Sequence, residues 1–236
     1  MSELRGDERY YGRLLNIECV YKLSHAPRKA MYDFFMRELK PRPEETVLDL
    51  GATSLPDPQE NMFELYYPHP NRITAAGAEN CSFLEARHPG LKFVRLEAGK
   101  PLPFADNAFD IGFSNAVIEH AGSRANQAYF LSELIRVSNR CFVTTPNRWF
   151  PVELHTRLPL LHWLPAPVFR AVLTAFGFEF YALEENLNLL TADELLALVP
   201  AEQAKKARLT RHWFFGLPSN LMLVVEKNLN ETATEC

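Results

Sequence analysis

The sequence predicts an α/β protein: a doubly wound, seven-stranded, mostly parallel sheet that closes with a C-terminal antiparallel hairpin. Three observations predict it. Short apolar runs alternate with helical patterns over about a hundred residues, which is the rhythm of βαβ units. Those runs are apolar almost throughout, as in strands buried on both faces. The last two runs flank one short turn, the mark of a hairpin. The chain has 236 residues, 47% hydrophobic and 23% charged. Such a mixture suits one globular unit and excludes a fibre or a disordered tail.

The elements follow in order. Leu14, Leu15, Val20 and Tyr21, then Met31, Phe34, Phe35 and Leu39, recur at helical spacing. Two helices with a break near Ser24–Pro27 fit this pattern, so residues 1–43 read as an N-terminal helical cap and 44–236 as the main domain. ETVLDLGA (45–52) is a buried strand feeding a turn. Residues 53–72 read as a loop with a short helix. NRITAA (71–76) is the second strand, 79–88 a helix stopped by Pro89-Gly90, and LKFVRL (91–96) the third strand. DIGFSN (110–115), a helix over 127–137 and RCFVTT (140–145) continue the alternation. Thr191 with Glu194 forms a capping box at the head of the last helix. Residues 209–215 and 220–226 then flank a turn at 216–219.

Composition narrows the function. Net charge is −4, from 25 basic and 29 acidic residues with no long block of one sign. No nucleic-acid partner is expected from that balance. Cys19, Cys81, Cys141 and Cys236 are far apart and form no CxxC pair. They read as scattered reduced thiols in a cytoplasmic protein, with neither a disulfide framework nor a metal site. The N-terminus carries acids ahead of any apolar run, unlike a signal peptide, and runs such as 221–225 are too short to span a membrane.

The segments VLDLGA (47–52), RLEAGKPLPFADNAFDIGFSNAVIEH (95–120) and ELIRV (133–137), with the closing hairpin, resemble the class I S-adenosylmethionine-dependent methyltransferases in family order. The similarity spans about residues 44–228 and implies a Rossmann-like sheet with S-adenosylmethionine as cofactor. It implies Asp49, Gly51 and Ala52 near the methionine moiety, Glu97 and Ala98 near adenine, and Asn115 and Ala116 beside the methionine part. TPNRWFPVELHT (145–156) and LPLLHWLP (158–165) are similar to a subgroup associated with cell-surface or lipid-linked glycans. That likeness implies a small, lipid-linked or glycan acceptor and, with the apolar stretch 158–181, favours methylation at oxygen; the same apolar stretch suits a lipid tail or peripheral contact with a membrane surface.

The chain departs from the family pattern twice. The first turn has one glycine, Gly51, followed by Ala52-Thr53-Ser54, and hydroxyl residues cannot copy a glycine at positive φ. The acid that usually ends the second strand is replaced by Gly77, with Glu79 two residues on. Glu79 either reaches back to the ribose or is a helix N-terminal acid favoured by the dipole.

For chemistry, the residues offer two groups. His120, just past the fourth strand, has the pKa range of a base, or packs beneath its loop. The loop after the fifth strand carries Asn147, Arg148, Trp149, Glu153, His155 and His162. Glu153 and His155 are a candidate base pair or weak metal ligands, but two residues make no metal site. Asn147, Arg148 and Trp149 are candidate acceptor contacts, with Arg148 suited to a phosphate or carboxylate. The alternative is a structural loop closed by an Arg–Glu salt bridge. Residues 158–181 are apolar and punctuated by proline, either a lid or a helix packed on the sheet. The alternative is a non-catalytic or differently reacting member of the same fold, used as a binding or scaffold protein.

Overall fold

The computed structural model describes residues 18–55, 60–97 and 99–227, with side chains from Pro27 onward. The seven strands are β1 (Val47–Leu50), β2 (Ile73–Gly77), β3 (Lys92–Arg95), β4 (Phe109–Asn115), β5 (Ser138–Pro146), β6 (Ala207–Phe214) and β7 (Leu217–Glu226). They form one sheet in the order β3-β2-β1-β4-β5-β7-β6. β1 to β5 run parallel; β7 runs antiparallel to both of its neighbours. Strand order reverses at β1, which lies between β2 and β4. In an open α/β sheet, the crevice beyond the carboxyl ends at such a reversal is where ligands bind.

Alternation along the strands builds two core layers. On one face Val47, Ile73, Ile111, Phe113 and Phe142 pack against Met31, Tyr32, Phe35 and Leu39 of helix α1 (Glu18–Leu39). Phe63, from the short helix α2 (Met62–Tyr66), stacks on Phe113 with centroids 4.2 Å apart. On the other face Leu48, Leu50, Val143 and Leu223 meet Leu131 and Leu134 of helix α4 (Arg124–Val137), beyond the single-turn helix α3 (Phe83–Arg87). A third cluster joins helix α5 (Ala166–Ala175) and α6 (Glu179–Ala182) through Phe169, Leu173, Phe178 and Tyr181. Helix α7 (Ala192–Ala197) starts at the expected Thr191–Glu194 capping box.

Three expectations are corrected. The helix over 18–39 is continuous through Pro27, where a break was expected. Proline removes one intrahelical hydrogen bond, but the stripe Met31, Tyr32, Phe35 and Leu39 is buried on the sheet and outweighs that loss. Leu14 and Leu15 lie outside the described residues. The helix expected from residue 79 begins only at Phe83, so Glu79 stands in the connection after β2 and is not a helix acid. The hairpin turn is tighter than the four residues expected. Phe215 and Gly216 both have positive φ (49° and 75°), the signature of a two-residue type I′ turn. Leu217 and Pro218 already belong to β7. Pro218 sits opposite Trp213 at a bulge, where no ladder N–H is required.

The resemblance-bearing motif has a mechanical role. Arg136, at the end of α4, donates to the Phe104 carbonyl (2.8 Å), the Leu102 carbonyl (3.1 Å) and Asp106 (2.8 Å). Glu133 accepts from the Leu102 N–H at 2.7 Å. The LPFAD loop is thus pinned to the helix that follows β4. Asp110 accepts from both the N–H and the hydroxyl of Thr46 at 2.9 Å, tying β4 to the start of β1.

Candidate active site

Gly51 ends β1 with φ +118°, and a Cβ built there would collide with Val117 Cγ2. Only glycine satisfies both conditions. Its N–H and that of Ala52 both donate to the Ala76 carbonyl (2.8 and 3.1 Å), folding the turn over the end of β2. The Ala52 carbonyl rests on Gly77, where a side chain would not fit. Asn61 clamps the turn from beneath, accepting from Thr53 N–H (3.0 Å) and donating to the Thr53 carbonyl (2.9 Å). The Ser54 hydroxyl donates to Glu79. Glu79 is therefore held just past β2 by a hydroxyl of the turn after β1.

Asp49 is buried, and so is Glu64 of α2. Burial pushes the Asp49 carboxyl well above its usual range, and the adjacent Glu64 pushes it further. Burial raises Glu64 as well. Two buried carboxyls this close oppose each other's ionisation, so burial and mutual repulsion together favour the protonated form. Neither Glu64 oxygen has a hydrogen-bond partner. Sequence reasoning found Asp49 but missed Glu64, which joins the site only through the tertiary packing of α2.

Across the crevice, β4 ends at Asn115, whose side-chain oxygen accepts from Thr144 Oγ1 at 2.6 Å. Ala116 has φ +56°, a left-handed conformation unusual for a residue with a Cβ. Its N–H is held by the Thr144 carbonyl at 3.0 Å. A 3₁₀ turn, Ile118–His120, follows at once. His120 Nδ1 donates to the Asn186 carbonyl at 2.6 Å. Burial and the neighbouring His155 push His120 down to about 3. Glu119, fully buried, accepts from Thr145 Oγ1 at 2.9 Å, and burial pushes its carboxyl up to about 6.

The loop after β5 brings His155 to the same place. The His120 and His155 rings meet edge to face with centroids 4.8 Å apart, and Tyr181 lies 5.6 Å from His155. Glu153 is buried and accepts four hydrogen bonds: from His155 Nδ1 (2.7 Å), His155 N–H (3.0 Å), Thr156 N–H (2.6 Å) and Thr156 Oγ1 (2.7 Å). Burial alone would raise Glu153, but these donors and the His155 charge outweigh it and hold the carboxyl at about 2. His155 is raised in turn: burial opposes its charge, and Glu153 more than compensates.

The other candidate residues fall elsewhere. Glu97 is largely exposed and ion-paired with Lys100; Ala98 lies outside the described residues. Asn147 is buried and spans the Pro218 carbonyl (2.8 Å) and the Trp149 N–H (3.2 Å), bracing its own loop. Arg148 lines a small, solvent-open pocket with His162, Phe169, Arg170, Leu187 and Asn188. It does not pair with Glu153, whose hydrogen bonds are all local. Trp149 is half exposed and meets Trp163 at 6.2 Å; Leu160 and Leu164, close to Trp163 in the chain, are also exposed.

Residues 70–140 match the family model described as a methyltransferase domain. No curated protein matches the sequence. Among solved structures, the 1,6-didemethyltoxoflavin-N1-methyltransferase of Burkholderia thailandensis, with bound 1,6-didemethyltoxoflavin and S-adenosylhomocysteine, superposes with a TM-score of 0.56 at 15% identity, over 88% of this chain and 80% of that one. The PH0226 protein of Pyrococcus horikoshii OT3 gives 0.54 at 14% identity, over 92% and 94%. The geranyl diphosphate C-methyltransferase of Streptomyces coelicolor A3(2) gives 0.51 at 13%, over 85% and 76%. At these identities the likeness is one of fold. The matched segment is that of a methyltransferase domain, and the fold over most of the chain is the one shared by class I S-adenosylmethionine-dependent methyltransferases.

Proposed function

We propose that the chain binds S-adenosylmethionine and methylates a small or lipid- or glycan-linked acceptor at oxygen, in the cytoplasm. The observation that carries the reading is the Asp49–Glu64 pair beside the left-handed Gly51 turn at the strand-order reversal. Two buried carboxyls with Glu64's oxygens lacking donors suit the ammonium of a methionine moiety. Glu79, steadied by Ser54, is assigned to the ribose hydroxyls, Glu97 and Ala98 to adenine, and Asn115 and Ala116 to the methionine chain. The residues thus fit the cofactor, which when bound supplies an electrophilic methyl group on its sulfonium.

His120 and His155 stand at the acceptor end. His155 is the more basic of the two and is assigned the acceptor's proton. Glu153 fixes its ring by accepting the hydrogen bond from Nδ1–H, which in the neutral ring leaves Nε2 to accept. His120 is neutral and orients the acceptor. Asn147, Arg148 and Trp149 are assigned to the acceptor's outer part, Asn147 by bracing the loop. The exposed Trp149, Leu160, Trp163 and Leu164 favour an amphipathic acceptor, or contact with a membrane surface that presents one. No helix among the described residues is long and apolar enough to cross a membrane. The free, buried thiols of Cys81 and Cys141 suit a reducing compartment. Two of the fold neighbours are named for methylation of small organic molecules.

One observation favours a second reading, a non-catalytic member of the fold: Val117 fills the space against Gly51 that a cofactor would approach. Transfer of labelled methyl from S-adenosylmethionine to a panel of amphipathic alcohols and glycolipids separates the two. The enzyme reading expects product that falls at least tenfold in His155→Ala. Tight cofactor binding with no product on any acceptor class would favour the second reading.

A further inference from the structure

We propose that Glu119, His120 and His155 form a binding site for one divalent transition-metal ion of the zinc class. One ligand-bearing atom from each residue lies within 4.8 Å of those of the other two. Atoms bound to zinc at about 2.0 Å stand roughly 3.3 Å apart, so side-chain rotation closes the cluster around an ion. The backbone supplies the rigidity: Glu119 and His120 are neighbours on the 3₁₀ turn after β4, and His155 comes from the loop after β5.

Two further features point to a cation. The first is the outer hydrogen bonding of the imidazoles. His155 Nδ1 meets the Glu153 carboxylate at 2.7 Å, and His120 Nδ1 meets the Asn186 carbonyl at 2.6 Å. Each acceptor fixes the proton on Nδ1, so the lone pair of the neutral ring is on Nε2. Metal-ligating histidines are held this way, through a carboxylate or carbonyl behind the ring. The second is Glu119. It is fully buried, Thr145 satisfies Oε2, and Oε1 has no hydrogen-bond partner. A buried carboxylate oxygen without a donor is costly unless a cation supplies the missing contact.

Two imidazoles and one carboxylate suit Zn²⁺, Co²⁺, Fe²⁺ or Mn²⁺ better than Ca²⁺ or Mg²⁺, which favour all-oxygen sets. Three protein ligands leave a position open. If the methyltransferase reading holds, that position takes the acceptor oxygen, whose hydroxyl becomes more acidic there. With the ion bound, His120 and His155 serve as its ligands; in the ion-free chain they keep the roles assigned above. The sequence alone gave only Glu153 and His155 as weak ligands; the fold adds Glu119 and His120 and moves Glu153 behind His155.

The test is Co²⁺ titration of the full chain after chelator treatment, followed by visible absorption, with Zn²⁺ competition and calorimetry. One ion should bind per chain and be displaced by Zn²⁺. Glu153→Gln should weaken binding by ~10–100-fold by releasing the His155 ring. Glu119→Gln and His155→Ala should weaken it further while keeping a native circular dichroism spectrum. A folded wild-type chain that takes up neither ion at ~1 mM overturns the proposal. So does wild-type affinity in a folded Glu119→Gln, His155→Ala double variant. Should a variant not fold, the wild-type titration decides alone. No methyl donor is present, so failure here and failure of the methyltransferase reading are distinguishable.

Discussion

Gly51 and Asp49 meet opposite physical demands two residues apart. Gly51 is fixed by backbone geometry and by Val117. Gly51→Ala forces a Cβ into Val117 at a left-handed φ. The expected cost is about 2–4 kcal/mol of stability, read by denaturant unfolding, together with loss of cofactor binding. Asp49 is fixed by charge. Both Asp49 and Glu64 are raised, so the folded chain binds protons on this pair more tightly than the unfolded chain, which releases them in the ordinary carboxylate range. Their contribution is full below the ordinary carboxylate range and is lost as pH rises through the folded values. Asp49→Asn should therefore stabilise the ligand-free chain by about 1–3 kcal/mol at pH 7 and flatten the stability–pH curve, while weakening S-adenosylmethionine binding. A variant that is destabilised at pH 7 would refute this account of the pair. The Asp-x-Gly spacing was legible in the sequence because both residues sit on one strand end. Glu64 and Val117 were not, since each joins the site only when a separate segment packs against the turn.

The loop carrying Glu153 and His155 and the loop pinned by Arg136 show how elements hold the site. Glu153 is held down at about 2 by its donors, so its contribution is present above the ordinary Glu range and lost as pH falls toward that value. His155 is raised, so its share is present below the ordinary His range and lost as pH rises through its folded value. Glu153→Gln should cost about 3 kcal/mol in thermal unfolding at pH 6 and much less at pH 2. Arg136→Gln should free the 102–106 loop, seen as faster hydrogen exchange there with little change in β4 or β5. The strands of this region were legible as apolar runs, and the Thr191 cap as a local motif. Continuity of α1 through Pro27 was not, because it depends on the sheet that buries Met31, Tyr32, Phe35 and Leu39. The two-residue hairpin turn was missed for a related reason. Pro218 argues against a strand unless a bulge removes the need for its N–H.

For the whole molecule, five parallel strands with one reversal at β1 place the Gly51 turn, the end of β4 and the loop after β5 around one crevice. The alternation of strands and helices was enough to predict that arrangement. What alternation does not carry is the content of the crevice, where Val117 packs against Gly51 and Ser54 hydrogen-bonds Glu79 after β2. The central claim is that this crevice still receives S-adenosylmethionine. Calorimetric titration of the folded wild-type chain with S-adenosylhomocysteine and S-adenosylmethionine tests it most directly. Saturable one-to-one binding that Gly51→Ala abolishes is the predicted result; no heat at ~1 mM ligand from a folded chain would contradict it.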